Sequence, residues 1–207
     1  MKHIKIIGAI VAMLFLMTTA VSANAIAKPL EIKQDVSSAI VIDDSTGQIL
    51  AVKNADKLGP IASQSKLLTA YAALKAINSG KIKWSDKVTI SKKADLSKQD
   101  SHLFSHLAVK AGDRLTVREL YNTMITLSAN DAAFALAEYM TPKNMTTAKA
   151  LQLWAKELKL TQSTWYNSAG QINQDAFENK VKNAPDNAVN LASPKHVAII
   201  AREIVKL

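Results

Sequence analysis

Residues 59–74 read Gly-Pro-Ile-Ala-Ser-Gln-Ser-Lys-Leu-Leu-Thr-Ala-Tyr-Ala-Ala-Leu, which sets Ser63 and Lys66 three positions apart at the head of an apolar run. Leu67, Leu68, Ala70, Tyr71, Ala73, Leu74 and Ile77 cover most of a helix circumference over residues 63–78, and Gly80 closes it. A helix apolar nearly all round belongs in the middle of a domain. Three residues of helix amount to a rise of about 4.5 Å and an offset of about 60°, so Ser63 and Lys66 share a face and can meet. An amine so placed can take the hydroxyl proton, provided burial keeps it from staying protonated. The helix N-terminus adds free N–H groups that favour a developing oxyanion. Taken alone, the same four residues also fit Ser63 as a simple N-cap and Lys66 as a surface residue.

Outward from this helix, Ser38–Asp44 and Ile49–Lys53 are β-branched and apolar around the turn-forming Ser45-Thr46-Gly47-Gln48, which predicts a β-hairpin. Its first arm is apolar at successive positions, as in a strand covered on both faces. Thr116 followed by Glu119 is a capping box opening a helix to about Leu127. Helices are also predicted over Asp131–Met140, over Met145–Leu158, and from Lys195 to Lys206 behind Ser193-Pro194. Short extended pieces are expected at Lys87–Ile90 and Leu103–Val109, and Gln171–Asn190 reads as irregular. The order is hairpin first and helices after, an α+β class.

The 207 residues are 48% hydrophobic and 21% charged, the balance of an ordinary folded domain. Lys2 and Lys5, the apolar stretch Ile6–Ala20, and Ala23-Asn24-Ala25 read as an export signal over residues 1–25, with a mature start at Ile26. Residues 26–35 are expected to be a linker and 36–207 the domain. The formal charge of +9 falls to +7 once Lys2 and Lys5 are removed, which suits anionic wall polymers or lipid headgroups. Nothing resembles a nucleic-acid module, and membrane contact is expected only through the signal. Without cysteine, thiol catalysis and thiolate metal sites are excluded. His102 and His106 stand at i, i+4 but lack an intervening glutamate and a third ligand, so no metal or organic cofactor is expected.

A second polar element, Ser128-Ala129-Asn130, falls at the break between two apolar helices, a corner able to turn both side chains into a cleft. Ser-x-Asn is also common turn chemistry, and Ser22-Ala23-Asn24 has the same spelling. Together, Ser-x-x-Lys and Ser-x-Asn are two of the three signature elements of penicillin-binding proteins and serine β-lactamases. The stretches Ile61–Tyr71, Val109–Leu120, Ser128–Glu138 and Ala155–Asn167 resemble D-alanyl-D-alanine carboxypeptidases of the low-molecular-mass class, from about Val36 onward.

That resemblance implies a β-lactamase/transpeptidase-like fold and an exported serine enzyme that removes the terminal D-alanine from wall pentapeptides ending in D-Ala-D-Ala, and that β-lactams acylate. It casts Ser63 as nucleophile, Lys66 as general base, Ser128 as proton relay to the leaving amine, and Asn130 as ligand of the substrate's peptide amide. The third family motif, Lys-Thr-Gly, is missing: Gly47 and Gly80 follow hydroxyl residues, but neither Ser45 nor Asn78 is basic. The domain is therefore expected to be partial, with the later strands of the sheet missing. A lone hairpin would be marginal, part of the Ser63 helix would lie bare, and Lys66 would stay hydrated and protonated. Three other readings remain beside the carboxypeptidase: a truncated paralogue that binds wall peptide or a partner without turnover, a basic wall-associated protein, and a serine β-lactamase-like hydrolase. The last needs a base for the deacylating water, for which the segment after Asn144 offers no clear candidate.

Overall fold

The computed structural model describes residues 28–207, so the export signal read over 1–25 lies outside the described residues. The predicted hairpin is present: β2 (Ala39–Ile42) and β3 (Ile49–Lys53) pair antiparallel, with a register irregularity between Val41 and Ile42. Asp43 shapes the turn by accepting Ser45 Oγ, Thr46 N and Thr46 Oγ1 at 2.6–2.7 Å, and these bonds hold its carboxyl at a pKa of about 2. Gly47 sits at φ +76°, and a Cβ there would lie 2.4 Å from Arg202 Nη1. Arg202 Nε in turn donates to Asp44 O at 2.7 Å, fastening the turn to the C-terminal helix.

The hairpin is not alone. β1 (Leu30–Glu31), inside the segment expected to be a linker, adds in parallel to β3, so the strands run β1-β3-β2. β2 is not covered on both faces as expected: Val41 is 48% exposed, and Leu50 on β3 is 43% exposed. Apolar composition alone cannot tell a doubly covered strand from one covered on a single face.

A 3-10 turn over Ala62–Ser65 leads into α1 (Lys66–Asn78), so the predicted helix begins three residues later than expected and Ser63 is neither its first residue nor its cap. Around α1 pack α2 (Val117–Thr126), α3 (Asn130–Met140), α4 (Thr147–Glu157) and α5 (Pro194–Lys206). α1 divides the core. Ala70 joins Leu120, Met124, Phe134 and Leu136 on one side, while Leu68 and Tyr71 join Leu151, Trp165 and Ile200 on the other. The expected bare face of α1 is thus covered, chiefly by α5, whose apolar stripe also reaches β2.

The predicted capping box forms, Thr116 with Glu119 on α2, and Ser193, expected as the cap of α5, makes a second box with His196 that the sequence reading did not include. β5 (Lys87–Thr89) matches the expectation, but its partner is β6 (Arg114–Thr116), and Leu103–Val109 is not a strand. Local bonds pull that stretch into bends: His102 N donates to Asp100 Oδ1, Ala108 N donates to His106 Nδ1, and Ala108 adopts φ +58°. A further two-residue pair, β4 (Gly59–Pro60) with β7 (Leu191–Ala192), brings the irregular segment after α4 against the residues just before Ser63.

Candidate active site

Ser63 lies exposed on the 3-10 turn, whereas Lys66, one turn deeper, is only 3% exposed. The chain therefore presents the hydroxyl to solvent and keeps the amine dry beneath it. Lys66 Nζ has three oxygen neighbours: Ser63 Oγ at 3.0 Å, Asn130 Oδ1 at 2.8 Å and the Ala169 carbonyl at 3.0 Å. Burial lowers its pKa from 10.5 to about 8. The expected hydrated lysine is overturned by this burial, which shifts the amine's protonation equilibrium toward the neutral form.

The three neighbours are chemically unequal. Asn130 Oδ1 and the Ala169 carbonyl can only accept, while the serine hydroxyl can also donate. A neutral amine keeps two N–H groups, which satisfy the two obligate acceptors. Its lone pair then faces the third neighbour, Ser63 Oγ. The same three bonds hold an ammonium after proton transfer, so the amine changes charge without changing partners. Hydroxyl and amine meet without water between them, within the reach required of a general base.

Asn130 opens α3 and is buried there, its backbone N–H donating to Ser105 O at 2.8 Å. Beside it, Asp131 is fully buried and accepts Leu107 N and Ala132 N, each at 2.8 Å. Burial pushes the Asp131 carboxyl pKa up and those bonds oppose it. This carboxylate fixes residues 105–109 against the start of α3. Ser128, in the α2–α3 connection, has φ +55° and is half-buried, and its side chain joins none of the bonds around Lys66. The structure thus brings Ser63, Lys66 and Asn130 together in one hydrogen-bonded set and leaves Ser128 at its margin.

Sequence reasoning missed the fourth member, the Ala169 carbonyl, because a backbone oxygen has no spelling. Its loop is shaped by Asn167, whose Oδ1 accepts Gly170 N at 2.8 Å and Gln171 N at 3.1 Å. Gly170 stands at φ +78° against Ala62, which itself adopts φ +43°. The run Asn167-Ser168-Ala169-Gly170 is turn chemistry, a signal that marks a bend but not what it faces. Among the described residues no group of three His, Asp or Glu side chains could hold a metal, and no helix is long and apolar enough to cross a membrane.

The chain is similar to the D-alanyl-D-alanine carboxypeptidase DacF of Bacillus subtilis, at 30% identity over 85% of this chain and 40% of DacF. It is also similar to DacC of Escherichia coli, at 35% identity over 66% of this chain and 34% of DacC. The fold matches a peptidoglycan synthesis regulatory factor, PBP3 of Streptococcus pneumoniae, with TM-score 0.75 and 30% identity over 82% of this chain and 46% of that one. Penicillin-binding protein D2 of Listeria monocytogenes, solved with cefotaxime bound, matches at TM-score 0.65 and 25% identity over 84% of this chain and 64% of that one. The chain therefore spans less than half the length of the two curated relatives named. Residues 16–207 match the family model of the D-alanyl-D-alanine carboxypeptidases, and the chain belongs to that family.

Proposed function

We propose that the chain carries the acylating half of a serine-type D-alanyl-D-alanine carboxypeptidase acting outside the cytoplasmic membrane on peptidoglycan stem peptides. One observation carries the reading: a buried amine whose pKa is about 8 stands 3.0 Å from an exposed hydroxyl, with both alternative partners of the amine unable to donate. Ser63 Oγ attacks the carbonyl carbon of the terminal D-Ala-D-Ala bond while its proton passes to Lys66 Nζ. The carbon–nitrogen bond then breaks, and the departing D-alanine amine takes a proton relayed through Ser128. Asn130, whose Oδ1 is held by Lys66, offers Nδ2 to the substrate's peptide carbonyl. Water finally attacks the Ser63 ester, releasing the shortened peptide and restoring the hydroxyl.

A β-lactam presents the same amide to the same hydroxyl, and its ring opens in place of the peptide bond. The test uses a fluorescent penicillin and intact-protein mass spectrometry. A stable adduct on wild type that is lost in Ser63→Ala supports the reading. A chain that only binds wall peptide gives no adduct at any pH. A β-lactamase-like hydrolase gives one that decays within seconds to minutes as free penicilloate accumulates.

A further inference from the structure

Asn190 lies immediately before β7 and is 1% exposed. Its side chain makes four bonds: Oδ1 accepts Tyr166 N at 2.6 Å and Asn167 N at 3.3 Å, and Nδ2 donates to Asn167 O at 2.7 Å and Ser65 Oγ at 2.9 Å. Its backbone carbonyl accepts Ile61 N at 3.3 Å. A side-chain amide has two acceptor sites and two N–H groups, so this one is saturated and has nothing left for a substrate.

The bonds run to three places. Ser65 precedes Lys66, Ile61 lies two residues before Ser63, and Tyr166-Asn167 begin the loop that ends in the Ala169 carbonyl. Asn167 closes that loop by accepting Gly170 N and Gln171 N and donating to Gln171 O at 2.8 Å. The loop also rests directly on the turn, since a Cβ built on Gly170 would lie 2.7 Å from Ser65 Oγ.

We propose that Asn190 is a positioning residue for the Ser63–Lys66 pair: by fastening the 166–170 loop onto Ser65, it holds the Ala169 carbonyl against Lys66 and leaves the amine's lone pair for Ser63 Oγ. Its kinetic consequence rests on the acylation reading proposed above; its structural consequence does not. With the clamp gone, the carbonyl withdraws and water takes its place. The amine is then partly rehydrated, the ammonium is favoured, and the lone pair no longer has a single outlet. Among the described residues no carboxylate is free to set the charge of Lys66. Asp131 on α3 is committed to backbone N–H groups, Glu157 on α4 to Tyr71 and Lys75, and Glu203 on α5 to Lys206. Burial is what sets Lys66.

The test follows the 13Cε signal of Lys66 with pH in the full chain labelled with 13C-lysine, assigned by its absence in Lys66→Met. Wild type is expected to titrate near the Lys66 pKa of about 8. Asn190→Ala moves the midpoint up by about one pH unit or more, and below it the neutral fraction drops about tenfold per unit. Penicillin labelling at pH 7.5 slows in proportion and recovers once the pH is raised past the shifted midpoint. A residue that merely supports the fold lowers the melting temperature without moving the midpoint, and a folded Asn190→Ala with an unmoved midpoint overturns the proposal. Should Asn190→Ala not fold, Ser65→Ala removes one of the four bonds and decides instead: an upward move supports the clamp and no move overturns it. If wild type titrates as expected but takes no penicillin, the function proposed above fails while the clamp stands on the titration.

Discussion

A Cβ built on Gly170 would lie 1.8 Å from the carbonyl oxygen of Ala62, the residue before the exposed serine. No side chain can occupy that space, and φ +78° disfavours one in any case. Gly170→Ala therefore forces apart the loop bearing the Ala169 carbonyl and the turn bearing Ser63. The expected cost is about 2–3 kcal/mol from overpacking and a strained backbone. Urea denaturation reads the loss in stability, and penicillin labelling is expected to fall at least about tenfold because a misplacement of an ångström suffices for that. An alanine variant as stable and as reactive as wild type contradicts the packing described here.

The dry lysine makes both reactivity and stability depend on pH. Labelling of Ser63 is expected to rise with pH and level off above a midpoint near the Lys66 pKa of about 8. The sign for stability follows from the folded pKa lying below the ordinary 10.5, so between the two values the unfolded chain binds more protons. Below pH 8 both states are protonated and the burial penalty is fully present; it is relieved as pH rises from 8 to 10.5. The contribution is at most about 1.4 kcal/mol per pH unit in that window. Comparing urea midpoints of wild type and Lys66→Met across it isolates the effect, since only wild type carries this proton.

Asn130→Asp exchanges a neutral acceptor 2.8 Å from Lys66 Nζ for an anionic one. The carboxylate favours the ammonium, so the labelling midpoint is expected to rise by about one to three units, with slow reaction at pH 7 and partial recovery at high pH. Asn130→Ala removes the acceptor instead and leaves the buried amine short of a partner, at a cost of about 1–3 kcal/mol. A pH–rate series on the two variants separates charge from geometry. Identical profiles for both would show that Oδ1 does not bear on the amine.

Asp131 holds two backbone N–H groups from a position with no solvent access. In Asp131→Ala, residues 105–109 lose their anchor, with an expected destabilisation of about 2–4 kcal/mol for the buried bonds. Hydrogen exchange should speed at Leu107 and its neighbours well before it does in α4 or α5. Uniform acceleration across the chain would mean that Asp131 serves global stability and not this loop.

Much of the architecture was legible in one dimension because it rests on local rules. The hairpin follows from two β-branched runs flanking Ser45-Thr46-Gly47-Gln48, α2 from a capping box whose members lie three residues apart, and α5 from a serine cap followed by proline. Ser63 and Lys66 were found for the same reason: helical geometry joins residues three apart without help from elsewhere. Asn130 was found by its place in a known spelling, but what it holds was not.

Tertiary structure alone decided the rest. Whether Lys66 is wet or dry depends on α3 and the loop around residue 169, which no neighbour in sequence supplies. The second acceptor for its amine is a backbone oxygen 103 residues away, and the clamp from Asn190 to Ser65 spans 125. β1 and the β4–β7 pair are two residues long, too short to carry a period. They exist because packing brings their edges together. Local spacing set which side chains could meet; long-range burial, which excludes water and limits the amine to three oxygen partners, lowered its pKa and left its lone pair facing Ser63.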